Sequence, residues 1–142
     1  MGMSVEHNKA TAHRFFDEIV NQGNLDLIDE LVSEDFVDHE GFPGLPNTGP
    51  ESVRAVFGMF LAGFPDLQMN IDDIIAEGDK TVARVTMSGT HKGEFMGIPP
   101  TNKGFKVQAI DILEIHDGKL TAHWGMTDQA AMMEQLGLAP EM

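Results

Sequence analysis

The 142-residue chain has no cysteine, which excludes disulfides, thiolate catalysis and cysteine-ligated metal centres. Positive charge is scarce as well. Nine Lys plus Arg stand against 23 Asp plus Glu, a formal net charge of −14. Such a polyanion is a poor match for phosphates, so neither nucleic acid nor an anionic membrane surface is an expected partner. The acids are spread along the chain, as on a solvated acidic surface, rather than run together in a tail. No apolar run approaches the roughly 20 residues of a membrane span. Residues 1–10 lack the basic start and apolar core of a secretory signal, so a cytoplasmic protein is expected. The six histidines show no HxxxH or HxH spacing, and no helix follows the glycines of 93–104. Neither a tight metal site nor a phosphate-binding loop is therefore expected.

Hydrophobic residues make up 42% of the chain, enough for the core of one domain over 1–142. Ala12, Phe15, Phe16, Ile19 and Val20 follow helical spacing, and Asn21-Gln22-Gly23-Asn24 ends that helix. A short second helix is expected over 25–31 and a short extended segment over 35–39. Residues 40–49 hold three glycines and two prolines and form a loop. Pro50 suits a first helical turn, with Val53, Val56, Phe57, Phe60 and Leu61 as the buried stripe. Strands are expected over 67–76, 80–91, 105–116 and 119–127, the last two joined by a tight Asp117-Gly118 turn. Residues 128–136 return to helix, with Asp128 as its cap. Helices first and an antiparallel meander afterwards define an α+β domain, with helices on one face of a highly curved, mainly antiparallel sheet. The open end of such a sheet encloses a pocket for a small molecule.

One strand carries a misplaced acid. Along 105–116, Val107, Ala109, Asp111, Leu113 and Ile115 share one face. Four of these five are apolar, so Asp111 must be paired, protonated or exposed to an internal cavity. A carboxylate in a cavity can shuttle protons, which makes Asp111 the leading catalytic candidate. His123 shares a face with Thr121, Gly125 and Thr127, opposite Leu120, Ala122, Trp124 and Met126. Facing inward, it would pair with Asp111 as an acid–base couple. Asp38 and His39 are adjacent on an extended segment, so only one of them can enter the pocket. Phe16 and Phe36 are candidates for its apolar wall. Phe95 and Met96, on a turn expected at its mouth, are candidates for ligand contact. Ile110 and Ile112 face away from Asp111, where pairing into a homo-oligomer, a dimer or tetramer, would cover them.

The run Gly93-Glu94-Phe95-Met96-Gly97-Ile98-Pro99-Pro100-Thr101, the Asp117-Gly118-Lys119 turn and His123-Trp124 resemble the SnoaL-like polyketide cyclases. So do Phe15-Phe16 with Asn21-Gln22-Gly23-Asn24, and Phe36-Val37-Asp38-His39. The match runs from about residue 8 to residue 137 within the cone-shaped, nuclear transport factor 2-like superfamily. The resemblance implies an intramolecular aldol closure, without metal or organic cofactor, on a small apolar or aromatic carbonyl compound. It also places the family's acid–base aspartate just after the His-Trp pair, where this chain has Gly125. Asp111 and Asp38 fall on two further pocket positions of the family. The missing acid at Gly125 keeps a non-catalytic binder of small hydrophobic ligands open as an alternative. Because the fold hosts several chemistries, so does an isomerase-like or epoxide hydrolase-like enzyme.

Overall fold

Ser4 starts the first helix. In the computed structural model, which describes residues 4–138, its hydroxyl accepts a hydrogen bond from the His7 amide at 3.1 Å. That contact satisfies one of the free N–H groups of a helix start. The ends of the expected 1–142 domain, and the first three residues of the segment lacking a signal, lie outside the described residues. Helix α1 (Val5–Arg14) passes directly into a π-helical stretch, Phe15–Asn21. There the Gln22 amide reaches back five residues to the Asp17 carbonyl, the bond that defines the wider coil. The wider coil turns neighbouring residues inward together: Phe15 with Phe16, then Ile19 with Val20, all buried. An ordinary helix was expected here. Asn21 ends the stretch by bonding β2 with its side chain, accepting from the Met69 amide at 2.6 Å and donating to its carbonyl at 3.0 Å.

The second expected helix divides into a 3-10 turn, Leu25–Leu27, and a short α2 (Ile28–Leu31). Strand β1 (Val32–Asp38) follows at once and is longer than its sequence suggested. Helix α3 (Gly49–Gly63) carries Pro50 in its first turn and buries Val53 and Val56. Strands β2 (Gln68–Glu77), β3 (Lys80–Thr90), β4 (Gly104–His116) and β5 (Lys119–Thr127) fall within a residue of expectation at each end. Asp117 and Gly118 have φ of 52° and 78°, as a tight β4–β5 hairpin requires. Helix α4 (Gln129–Gln135) is capped by Asp128, which accepts from the Ala131 amide at 3.0 Å. Among the described residues no helix is long and apolar enough to cross a membrane.

The sheet order is β1-β5-β4-β3-β2. Strands β2 to β5 form the antiparallel meander, and β1 adds as a parallel neighbour of β5. The sheet is therefore mixed and unclosed. Its inner face is lined along β4 by Phe105, Val107, Ala109, Leu113 and Ile115, all buried, with Asp111 among them. Strand β5 departs from strict alternation. Ile115 pairs with Leu120 but Glu114 pairs with Ala122, which leaves Thr121 as a bulge. A bulge reverses which residues face inward. Leu120 before it and His123 after it consequently line the same cavity, where simple alternation placed them on opposite faces.

The Asn21 side chain replaces a missing backbone neighbour for Met69, so Asn21→Ala leaves two backbone groups unpaired. We expect a loss of about 1–3 kcal/mol in urea unfolding; unchanged stability would contradict this role.

Candidate active site

Between the helices and the inner face of the sheet lies a cavity of about 60 Å³. Phe16, Phe36, Val53, Phe57, Phe60 and Leu113 form much of its wall, and Asp38, Glu40, Asp111 and His123 supply its polar side. Strand order explains why these four meet. β5 lies between β1 and β4, so His123 has a neighbour on either side. Asp38 is its register partner on β1. On β4, Leu113 stands opposite His123 and Asp111 opposite Gly125, so Asp111 is the diagonal neighbour on the same face.

The imidazole bridges the two acids. Its Nδ1 lies 2.9 Å from Asp38 Oδ1 and its Nε2 2.8 Å from Asp111 Oδ1. Asp38 Oδ1 also accepts from the Glu40 and Gly41 amides at 3.0 and 3.3 Å. This turn fixes the start of the 39–48 loop and brings Glu40 back over the site. Glu40 Oε1 stops 3.9 Å from His123 Nε2. Asp111 Oδ2 is buried with no hydrogen-bond partner.

The electrostatics follow from these contacts. Burial alone would lower the imidazolium pKa of His123, but hydrogen bonds and charge from Asp111 and Asp38 outweigh it and push it up to about 10. For Asp38, burial pulls upward. The hydrogen bond and charge of His123, with the Glu40 and Gly41 amides, overcome it and hold the carboxyl below its ordinary range. Glu40 moves the other way. Burial, then repulsion from Asp111 and Asp38, raises it against the attraction of His123 and the Thr127 hydroxyl. No Lys or Arg forms an ion pair with the cluster among the described residues.

Asp111, His123 and Asp38 come together, and Phe16 and Phe36 line the cavity. The choice between Asp38 and His39 falls to Asp38. His39 lies on the outer sheet face, exposed and stacked on Trp124 with ring centroids 4.6 Å apart. Phe95 and Met96 do not reach the cavity either. The Lys92 and Gly93 amides bond the Gly63 carbonyl at 3.0 and 3.1 Å, which folds this turn onto the end of α3. Phe95 packs there against Phe60 and Phe64, and Met96 is 54% exposed.

Gly125 faces the site without a side chain. A Cβ built there would lie 2.6 Å from Glu40 Oε1, 2.7 Å from Asp111 Oδ1 and 2.9 Å from His123 Cε1. A side chain at this position would have to displace the Glu40 carboxyl. In the sequence Glu40 is the first residue of the glycine- and proline-rich 40–49 loop. Its only sequence signal is a carboxylate two residues after Asp38, and only the β1–β5 pairing shows that this places it above Gly125.

Metal binding has a geometric candidate. Glu40, Asp111 and His123 each bring one donor atom within 4.8 Å of the others. They come from three different elements, so histidine spacing along the chain says nothing about them. Both imidazole nitrogens, however, face carboxylate oxygens at 2.8–2.9 Å, the geometry of N–H donors rather than of a nitrogen free to ligate.

The sequence and fold have parallels among known proteins. The sequence model of the SnoaL-like polyketide cyclase family matches residues 10–136, and the chain belongs to that family. Nogalonic acid methyl ester cyclase of Streptomyces nogalater is 27% identical over 119 residues, covering 82% of this chain and 88% of that protein. The aklanonic acid methyl ester cyclase DnrD of Streptomyces peucetius is 26% identical over 123 residues, 84% of either chain. Among solved structures, TsrD from Streptomyces laurentii superposes with a TM-score of 0.85 at 30% identity, over 96% of this chain and 98% of that one. IdmH from Streptomyces antibioticus gives 0.79 at 31%, over 92% and 98%.

The clamp makes stability depend on pH. Folding raises His123 from 6.5 to about 10, so the folded state holds this proton more tightly than the unfolded chain. That contribution is complete below about pH 6.5 and disappears as pH climbs through about 10. Asp38, lowered from 3.8, adds stability that is lost as pH falls below that value. Urea unfolding of the wild type should therefore weaken steadily between pH 6.5 and 10, and His123→Gln should flatten the decline. An identical slope in the variant would rule out the clamp as its source.

Proposed function

We propose that the chain is a cyclase-type enzyme of one SnoaL-like domain. It closes a ring by intramolecular aldol condensation on an apolar carbonyl compound, with Asp111 as the base and no cofactor. The observation that carries this reading is the asymmetry of Asp111: Oδ1 is held by His123 while Oδ2, buried in the wall of an apolar cavity, has no partner. A buried carboxylate oxygen left unpaired costs stability, and the proton it is free to accept gives it a use.

The chemistry follows from what a carboxylate can do. It is a weak base, so the substrate must acidify its own C–H, as a carbon between two carbonyls does. Asp111 Oδ2 removes that proton. The resulting enolate carbon attacks a ketone carbon of the same molecule, a C–C bond forms, and the carbonyl electron pair moves to oxygen. His123 acts as a positioning residue. Both its N–H groups are taken by carboxylates, so it orients Asp111 and balances charge instead of donating to the enolate. His39, the alternative to Asp38 on the extended segment, lies outside the cavity.

The cyclases of Streptomyces nogalater and Streptomyces peucetius, named for methyl esters of nogalonic and aklanonic acid, suggest the substrate class: polyketide esters. At about 60 Å³ the cavity holds only a few water molecules, whereas small-molecule pockets span roughly 300–1,000 Å³. Ligand entry therefore displaces side chains. Phe42, on the 39–48 loop, and Phe60, on α3, line the cavity half-buried, with ring centroids 5.6 Å apart, and are the groups placed to swing out.

The test offers nogalonic and aklanonic acid methyl esters to the wild type and to Asp111→Asn, with ring-closed product followed by mass spectrometry and NMR. We expect wild-type turnover and a drop of about 10²–10⁴-fold in the folded variant. Wild-type turnover by Asp111→Asn would remove Asp111 from the chemistry. A wild type that binds both esters and releases them unchanged would favour the non-catalytic alternative.

A further inference from the structure

We propose that Glu40 is the proton donor of this site, delivering its proton to the ligand oxygen on which negative charge develops, and that Gly125 exists to make room for it. This assignment rests on the cyclase reading above and supplies the half of the reaction that Asp111 cannot. Removing a proton from carbon is only the first step; the oxygen that receives the carbonyl electrons needs a proton of its own.

The other groups of the cluster are spoken for. His123 has both nitrogens engaged. Asp38 Oδ1 takes contacts from His123, Glu40 and Gly41. Asp111 is the base. Glu40 is the one carboxyl that lines the cavity with its nearest oxygen 3.9 Å from the imidazole, beyond hydrogen-bond reach. Its side chain is 18% exposed, so it is sheltered from bulk water. The groups facing it are Asp38 from β1, Asp111 from β4, and His123 and Thr127 from β5. Two carboxylates already outnumber the single imidazolium, so a third negative charge there is disfavoured and the Glu40 carboxyl is held towards its neutral, donating form.

Gly125 supplies the independent observation. It is absent from the glycines with positive φ, so its backbone does not require glycine. What glycine provides is space: a Cβ would press on three side-chain ends, the closest being Glu40 Oε1 at 2.6 Å, and Glu40 would have to swing away. The strand has given up its own side chain at the position where the loop delivers a carboxyl. The acid reaches the cavity from β1's end instead of from β5.

The protons balance. Asp111 gains one from carbon and Glu40 gives one to oxygen, so the site returns to its starting state when one proton passes from Asp111 to Glu40. His123 Nε2, 2.8 Å from the first and 3.9 Å from the second, stands between them.

The experiment combines kinetics on the two methyl esters with a titration that needs no substrate. Glu40→Gln keeps size and neutrality but cannot transfer a proton. We expect kcat to fall about 10²-fold or more, KM to change little, and the fall in wild-type kcat as pH rises through the Glu40 titration to vanish. Pairing Glu40→Gly with Gly125→Asp should recover part of that loss, whereas Gly125→Asp alone should not support turnover. Carboxyl carbon NMR should show Glu40 titrating above an ordinary glutamate and reverting towards normal in Gly125→Ala, which evicts it. Ordinary titration of Glu40 in the wild type, or wild-type kcat in Glu40→Gln, overturns the assignment while leaving Asp111 in place. An inert wild-type protein overturns the cyclase reading and this assignment together.

Discussion

A single imidazole held between two carboxylates organises the functional half of this protein. His123 ties β5 to β1 through Asp38 and to β4 through Asp111. Each bond does mechanical and electrostatic work at once. Removing either acid leaves one buried imidazole N–H without its carboxylate, costlier than losing a surface ion pair. The same clamp fixes the orientation of Asp111, leaving one oxygen engaged and the other free. Through the amides that bond Asp38 it also anchors the loop that returns Glu40 to the cavity. A polar network of this kind is strengthened by the greasy wall around it, because low local polarity magnifies every contact inside.

Two departures from regular structure make the clamp possible. Parallel addition of β1 beside β5 puts Asp38 level with His123. The bulge at Thr121 then turns His123, Gly125 and Thr127 to the face already occupied by Asp111. Without it, the outer residue Trp124 would take the inward position. On the opposite wall the π-helical stretch turns adjacent Phe15 and Phe16 inward together. Irregularities of this sort cluster beside functional cavities in many folds.

These features set the limit of what could be read from residues alone. The antiparallel strands were legible because two-residue alternation and the Asp117-Gly118 turn are local signals. Asp111 stood out for the same reason, as an acid in an apolar row. Its meeting with His123 followed from neighbouring strands joined by a tight hairpin. The choice between Asp38 and His39 was not legible, because it depends on the register of a parallel pairing with a strand 85 residues away in sequence. Glu40 was hidden further, since a loop carries no periodicity. Phe95 and Met96 were misplaced because hydrogen bonds to Gly63, which no local pattern reveals, fold their turn onto α3. The family resemblance, carried by short motifs, pointed to the fold and to the vacancy at Gly125, but not to the side chain that fills it.

Membership of the SnoaL-like family fixes the frame. Its cavity has one carboxyl from β4, an imidazole from β5, a second carboxyl from β1 and a third from the loop. All four depend on His123 carrying a proton on both nitrogens at neutral pH. Nitrogen-15 NMR of the imidazole, followed from pH 6 to 11, observes this directly. Both ring nitrogens should keep imidazolium shifts through pH 8, with the change centred at about 10. A neutral ring at pH 8, titrating near 6.5 like a free histidine, would contradict the clamp and the division of roles built on it.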